Sequence, residues 1–275
     1  MKLSDSLFVK SRYVKRAGRV NQDVVRQLSK LESCRLTSHV ASSFNSSYLP
    51  RILFSQFLGA MIERDYIMRM IQMLVQALIR IFSFKEKKDY PLALNEIQNA
   101  SKTLIGVELD VIRRLSDVQI IDLLTLVKDF GSLKCYLAGM LLKEEAEILE
   151  LQRKGDESVD ARTKSLSLLT EAAIEKGAPL NSEHASAVDV VAAKLNHTGL
   201  PVHIHKKLFH YYELVGKYGK GEDTLFEILK KEPSFVEEGL LFYGRIRNKS
   251  DEELDKGNLS RKEIDEGIIM LQEKK

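Results

Sequence analysis

The sequence predicts an all-α fold, and three observations carry that reading. Between residues 62 and 84 the polar side chains Arg69, Gln72, Gln76, Arg80 and Ser83 recur three or four apart, which is the helical period. Helix-start signatures punctuate the rest of the chain: Ser116 with Gln119, Ser250 with Glu253, and Ser260 with Glu263. Alternating β-branched runs bounded by turns, the mark of strands, are essentially absent.

The bulk composition suits such a fold. The chain has 275 residues, 44% of them hydrophobic and 29% charged, ordinary values for a globular protein. Collagen-like and low-complexity classes are excluded, and one or two domains with a sizeable core are expected. No run of 18 apolar residues occurs. The least polar region, Ile52 to Phe84, is broken by Glu63, Arg64, Asp65, Arg69 and Arg80, which excludes a transmembrane helix and predicts no membrane insertion. Cys34 and Cys135 are the two cysteines, without a CxxC pairing, so neither a disulfide framework nor a cysteine zinc site is expected. A reducing, cytoplasmic setting follows.

Charge divides the chain at Met61. Residues 1–60 carry ten Lys or Arg against Asp5, Asp23 and Glu32, a balance of +7, together with eleven serines. The remaining 32 basic and 36 acidic residues give −4. The first segment is expected to be weakly ordered and reads three ways. Rich in Arg and Ser and poor in acid, it has the composition of an organellar transit peptide. It equally has that of a basic arm touching phosphate. It also fits an upstream extension not part of the native protein, with Met61 the true start. The domain division is therefore 1–60 and 61–275.

The helix over 62–84 is apolar around most of its girth. Ile67, Met70, Ile71, Leu74, Leu78 and Ile81 fill the face opposite the polar stripe, widened by Met68, Met73, Val75 and Ile79. Such a helix is buried centrally or against a partner, so these residues are candidates for a core or for self-association into a homo-oligomer. Further along, Gly155 to Ser158 and Gly177 to Pro179 read as loops. Pro201 after Gly199 suits the first turn of another helix.

A spacing repeats within the chain. It runs His205-x2-Leu208-Phe209-x2-Tyr212, then Gly216, then Gly221-x3-Leu225-x2-Ile228 and Pro233. The second-helix part recurs as Tyr90-x2-Ala93-x3-Ile97-x2-Ala100, and more faintly as Ser165-x3-Leu169-x2-Ala172. This resembles the tetratricopeptide repeat, in which small residues let paired helices approach and bulky ones fill the gap between hairpins. His205, Phe209 and Ile228 depart from that pattern. The resemblance implies antiparallel helical hairpins stacked as a degenerate tetratricopeptide-like solenoid. The opening Met61-Ile62-Glu63-Arg64-Asp65-Tyr66-Ile67-Met68-Arg69 is similar to the start of an uncharacterised bacterial family with this architecture, which implies no known activity.

Catalytic patterns fail. Gly216-x4-Gly221 is followed by Glu222 and Asp223 where a phosphate loop needs Lys and Ser or Thr. HExxH and GxSxG are missing, and Leu254 and Lys256 spoil the calcium-loop register of Glu252 to Glu263. His203, His205 and His210 cluster, but Lys206 and Lys207 among them repel a cation, so no metal and no cofactor are expected. Glu144, Glu145 and Glu147 read as a solvated helix face. What remains is binding. The tetratricopeptide resemblance implies a groove lined by the first helix of each hairpin, which puts His203, Lys206, His210 and Glu213 on the binding side for a protein or peptide. The leading reading is a non-enzymatic scaffold or adaptor. The alternative is a nucleic-acid-binding regulator that uses the basic segment, less favoured because Gln22 to Val40 lacks the turn glycine of a helix-turn-helix.

Overall fold

The computed structural model describes residues 49–126, 130–195 and 199–273, with side chains from residue 63 onward. The readings placed on the basic N-terminal segment fall mainly on residues 1–48 and lie outside the described residues. Ala60–Lys275 forms one compact unit.

The described residues form helices joined by short turns, with no strand among them: α1 (Leu49–Glu86), α2 (Tyr90–Leu104), α3 (Leu109–Arg114), α4 (Asp117–Thr125), α5 (Gly131–Leu151), α6 (Gly155–Lys176), α7 (Ser182–Leu195), α8 (Val202–Leu214), α9 (Tyr218–Lys231), α10 (Val236–Ile246), α11 (Asp251–Lys256) and α12 (Arg261–Gln272). A single 3₁₀ turn, Pro233–Phe235, separates α9 from α10. The all-α expectation holds. All three capping boxes form, each serine hydroxyl accepting the N3 backbone N–H while the N3 side chain returns to the serine backbone.

At the centre lies the α5–α6 hairpin. Its helices approach closely because Gly139 has no side chain: a Cβ there would sit 2.7 Å from Leu169 Cγ. Ser165 Oγ donates to the Gly139 carbonyl at 2.7 Å and Ser158 Oγ to that of Ala146 at 2.8 Å. The connecting turn is Gln152 to Lys154, with Arg153 in the left-handed region. Gly155 to Ser158, read as a loop, is instead the first turn of α6. Asp156 and Glu157 there favour the positive end of the helix dipole.

Two hydrophobic cores share α8. Leu208, Tyr211 and Tyr212 belong to the larger one, built around α5 and α6. Phe209 points into the smaller one with Leu225, Phe242, Tyr243 and Leu271. Its ring lies 5.0 Å from that of Phe242 and 5.6 Å from that of Phe235. Gly216, with φ of +72°, makes the turn between α8 and α9.

The glutamates of α5 correct the solvated-face expectation. Glu145 is 1% exposed and meets Arg113 at 2.5 Å. Glu144 and Glu147 each take Lys85 of α1 at 2.6 Å, and Lys143 adds a second cation to both. Being central, α5 is covered on the side that a peripheral helix would leave wet.

Of the six α1 residues named as core or self-association candidates, Met70, Leu74 and Ile81 are buried and Ile67, Ile71 and Leu78 are partly buried against the core. The segment Glu63–Glu86 is, contrary to the count made on the sequence, long and apolar enough to cross a membrane by length and composition. Its inner face is nonetheless occupied by protein.

Candidate functional site

A cavity opens where the α8–α9 turn meets α10 and α11. It has a volume of 670 Å³ and is lined by His210, Glu213, Leu214, Tyr218, Arg245 and Lys249, among others. The left-handed Gly216 places Tyr218 at the start of α9, and the ring lies beneath Gly257, whose missing side chain leaves it room. Gly219 N–H donates to the Gly257 carbonyl at 2.9 Å, fixing α9 against the end of α11.

Arg245 organises the charge of this cleft. Its guanidinium grips Glu213 with two bonds, of 2.6 and 2.9 Å, and reaches Glu238 at 2.9 Å. A forked pair of this kind is stronger and better oriented than a single lysine contact. Lys249 lies 3.6 Å from Glu253. The backbone and hydroxyl of Ser250 hold the Glu253 carboxyl below the usual range. His210 is exposed beside the Phe209 ring, while Leu214 supplies an apolar edge, being 40% exposed.

A second polar cluster joins α4, α6 and α8. Asp117 accepts from Ser167 Oγ at 2.6 Å and from His203 Nε2 at 3.1 Å. Lys207 donates to Ser167 Oγ at 3.1 Å and pairs with Glu171 at 2.8 Å. Burial pushes the Asp117 carboxyl up, but the Ser167 hydrogen bond and the charges of His203 and Lys207 outweigh it and hold the group below its ordinary value. Ser167 is fully buried, so its hydroxyl serves as a tie between helices and is closed to a substrate.

The four residues expected along one groove therefore go to three places. His210 and Glu213 line the cleft. His203 belongs to the Asp117 cluster. Lys206 pairs with Glu232 at 2.8 Å and lies over the Phe235 ring at 5.2 Å, bracing α8 against the end of α9. Sequence reasoning missed Arg245 because its partners Glu213 and Glu238 lie in another element or beyond one helical turn, and Lys249 because only the meeting of α8 with α10 and α11 brings it to the cleft. Asp117 was hidden as the residue after a capping serine. Among the described residues no three His, Cys, Asp or Glu side chains come together to hold a metal ion. Cys135 is buried, and its thiol is pushed up to about 12 by that burial and by Glu171 and Glu175.

A family model described as a family of unknown function, DUF6483, matches residues 61–275. The chain belongs to the DUF6483 family. The match begins at Met61, where the resemblance to an uncharacterised family begins, and the DUF6483 region contains both the cleft and the Asp117 cluster. No curated protein and no solved structure matches the chain.

Proposed function

We propose that the DUF6483 region is a non-enzymatic adaptor, a tetratricopeptide-like stack of hairpins that binds a protein partner by a linear segment laid into the cleft beside α8. The observation that carries this reading is the cleft itself: 670 Å³, open, and walled by Arg245, Lys249 and His210 around the apolar Leu214 and Ile246. Mixed lining of this kind suits a peptide with an apolar anchor and flanking polar groups. Hairpin packing supports the repeat reading. Gly216 turns the chain, Gly221 faces Phe242 and Tyr212, and Leu225 and Ile228 are buried, as the tetratricopeptide resemblance implies for those positions.

The test is selection of linear peptides displayed on phage against the full chain. Affinities of the enriched peptides are then measured on the wild type, on Leu214→Glu in the cleft and on Lys206→Ala outside it. The expected result is a tenfold or greater loss in Leu214→Glu, on the order of 1.4 kcal/mol or more, with Lys206→Ala unchanged. No enrichment, or equal affinity for all three proteins, overturns the reading.

A further inference from the structure

We propose that the outer seam of α1 is a self-complementary interface, through which two copies of this chain pair antiparallel across a two-fold axis at Val75. This inference is independent of the peptide cleft. It begins with what the core leaves uncovered. Met70, Leu74, Ala77 and Ile81 face inward and are at most 8% exposed. Met68, Val75, Ile79 and Phe82 remain 47%, 48%, 63% and 58% exposed. Their successive spacings of seven, four and three residues put all four on one stripe, the seam along which a partner helix packs. A hairpin core covers only part of a helix that is apolar around most of its girth, and the remaining stripe needs another apolar surface.

The pattern along the stripe says what that surface is. Rotation by half a turn about Val75 brings each position opposite the one equally far on the other side. Met68 then meets Phe82, Ile71 meets Ile79, and Val75 meets its own copy. At the ends, Arg64 meets Glu86. Both are exposed and have no ion-pair partner among the described residues. Unlike charges therefore close both ends of an uncharged middle, and nothing repels at the axis. A parallel pair would instead set Arg64 against Arg64 and Glu86 against Glu86. A surface complementary to itself under a two-fold is the requirement for an isologous dimer.

A lipid bilayer is the competing occupant. Spanning it would require the whole girth, but the inner face is already filled by protein. Arg69, Gln72, Gln76 and Arg80 form an exposed polar stripe beside the seam, with Arg80 tied to Glu96 at 2.7 Å.

Sedimentation velocity on the full chain, with light scattering for mass, gives the first test. A mass twice that of one chain is expected, falling to one chain in Ile79→Glu with helical content unchanged by circular dichroism. Orientation is read by disulfide cross-linking in a Cys34→Ser background. Val75→Cys should link to itself, and Met68→Cys should link to Phe82→Cys when the two are mixed, but not to itself. A monomer at every concentration overturns the proposal. So does a dimer that survives Ile79→Glu, or self-linkage of Met68→Cys. A monomer that binds anionic phosphatidylglycerol vesicles, and loses that binding in Ile79→Glu, assigns the seam to a membrane surface and overturns it as well.

Discussion

His184 Nε2 donates to the Leu169 carbonyl oxygen at 2.7 Å, locking the start of α7 to the middle of α6. The other ring nitrogen, Nδ1, accepts the Leu180 N–H at 3.1 Å, so both partners require the neutral ring with its proton on Nε2. The side chain is fully buried against the Tyr136 ring. Burial lowers the pKa below the ordinary 6.5, against the opposing Leu169 hydrogen bond.

Because the folded value is the lower one, the unfolded chain takes up the proton first. The stability contributed by neutral His184 is full above the unfolded value and is lost as the pH falls through the folded one. Urea midpoints from about pH 8 to about pH 5 should therefore drop more steeply in the wild type than in His184→Gln. That variant costs about 1–3 kcal/mol at neutral pH, where its amide cannot reproduce both bonds. Parallel pH profiles would count against the assignment.

Arg113 is the partner of an almost wholly buried carboxylate. Burial raises the Glu145 pKa, and the Arg113 charge and hydrogen bond oppose that rise. Arg113→Met should cost about 1–3 kcal/mol near pH 7, less than for a fully buried pair because the guanidinium is itself half exposed. Removing the cation raises the Glu145 value further, so the folded variant holds its proton more tightly. Its deficit should shrink as the pH is lowered and grow as the pH rises, measured by urea unfolding against the wild type.

Two helical glycines should respond oppositely to alanine. At Gly139 the new Cβ meets Leu169 Cγ at 2.7 Å and the Ser165 carbonyl oxygen at 3.2 Å. Overpacking there should destabilise by about 1–3 kcal/mol despite the gain in helix propensity. Gly244 in α10 has nothing within 4 Å of the same position, so Gly244→Ala should stabilise by up to about 1 kcal/mol. Thermal unfolding of the two variants checks both signs.

Ser260 holds the first turn of the last helix by accepting from the Glu263 N–H at 3.3 Å. Ser260→Ala should cost about 1 kcal/mol. The loss should be read as faster hydrogen exchange confined to α12, with α5 and α6 unchanged. Spread of the effect into the α5–α6 hairpin would contradict a purely local cap.

The sequence by itself determined the local facts. The serine caps, the Gly216 turn and the helical period of α1 depend on interactions within a few residues, and each is written in the spacing of the residues that make it. The tertiary structure decided everything that depends on which element lies alongside. Glu145 reads as solvated until α3 brings Arg113 against it from 32 residues away. His203 and Glu213 look like neighbours on one helix, yet the first is drawn to Asp117 and the second to Arg245. Arg245, which shapes the cleft, carries no sequence signal because its forked bond closes across 32 residues. The clearest division runs through α1. Its period fixed a helix apolar on most sides, but only packing could separate the face that Met70 and Leu74 bury from the face that Ile79 and Phe82 leave open. Periodicity records which residues share a face; burial depends on how much of that face the neighbouring helices are wide enough to cover.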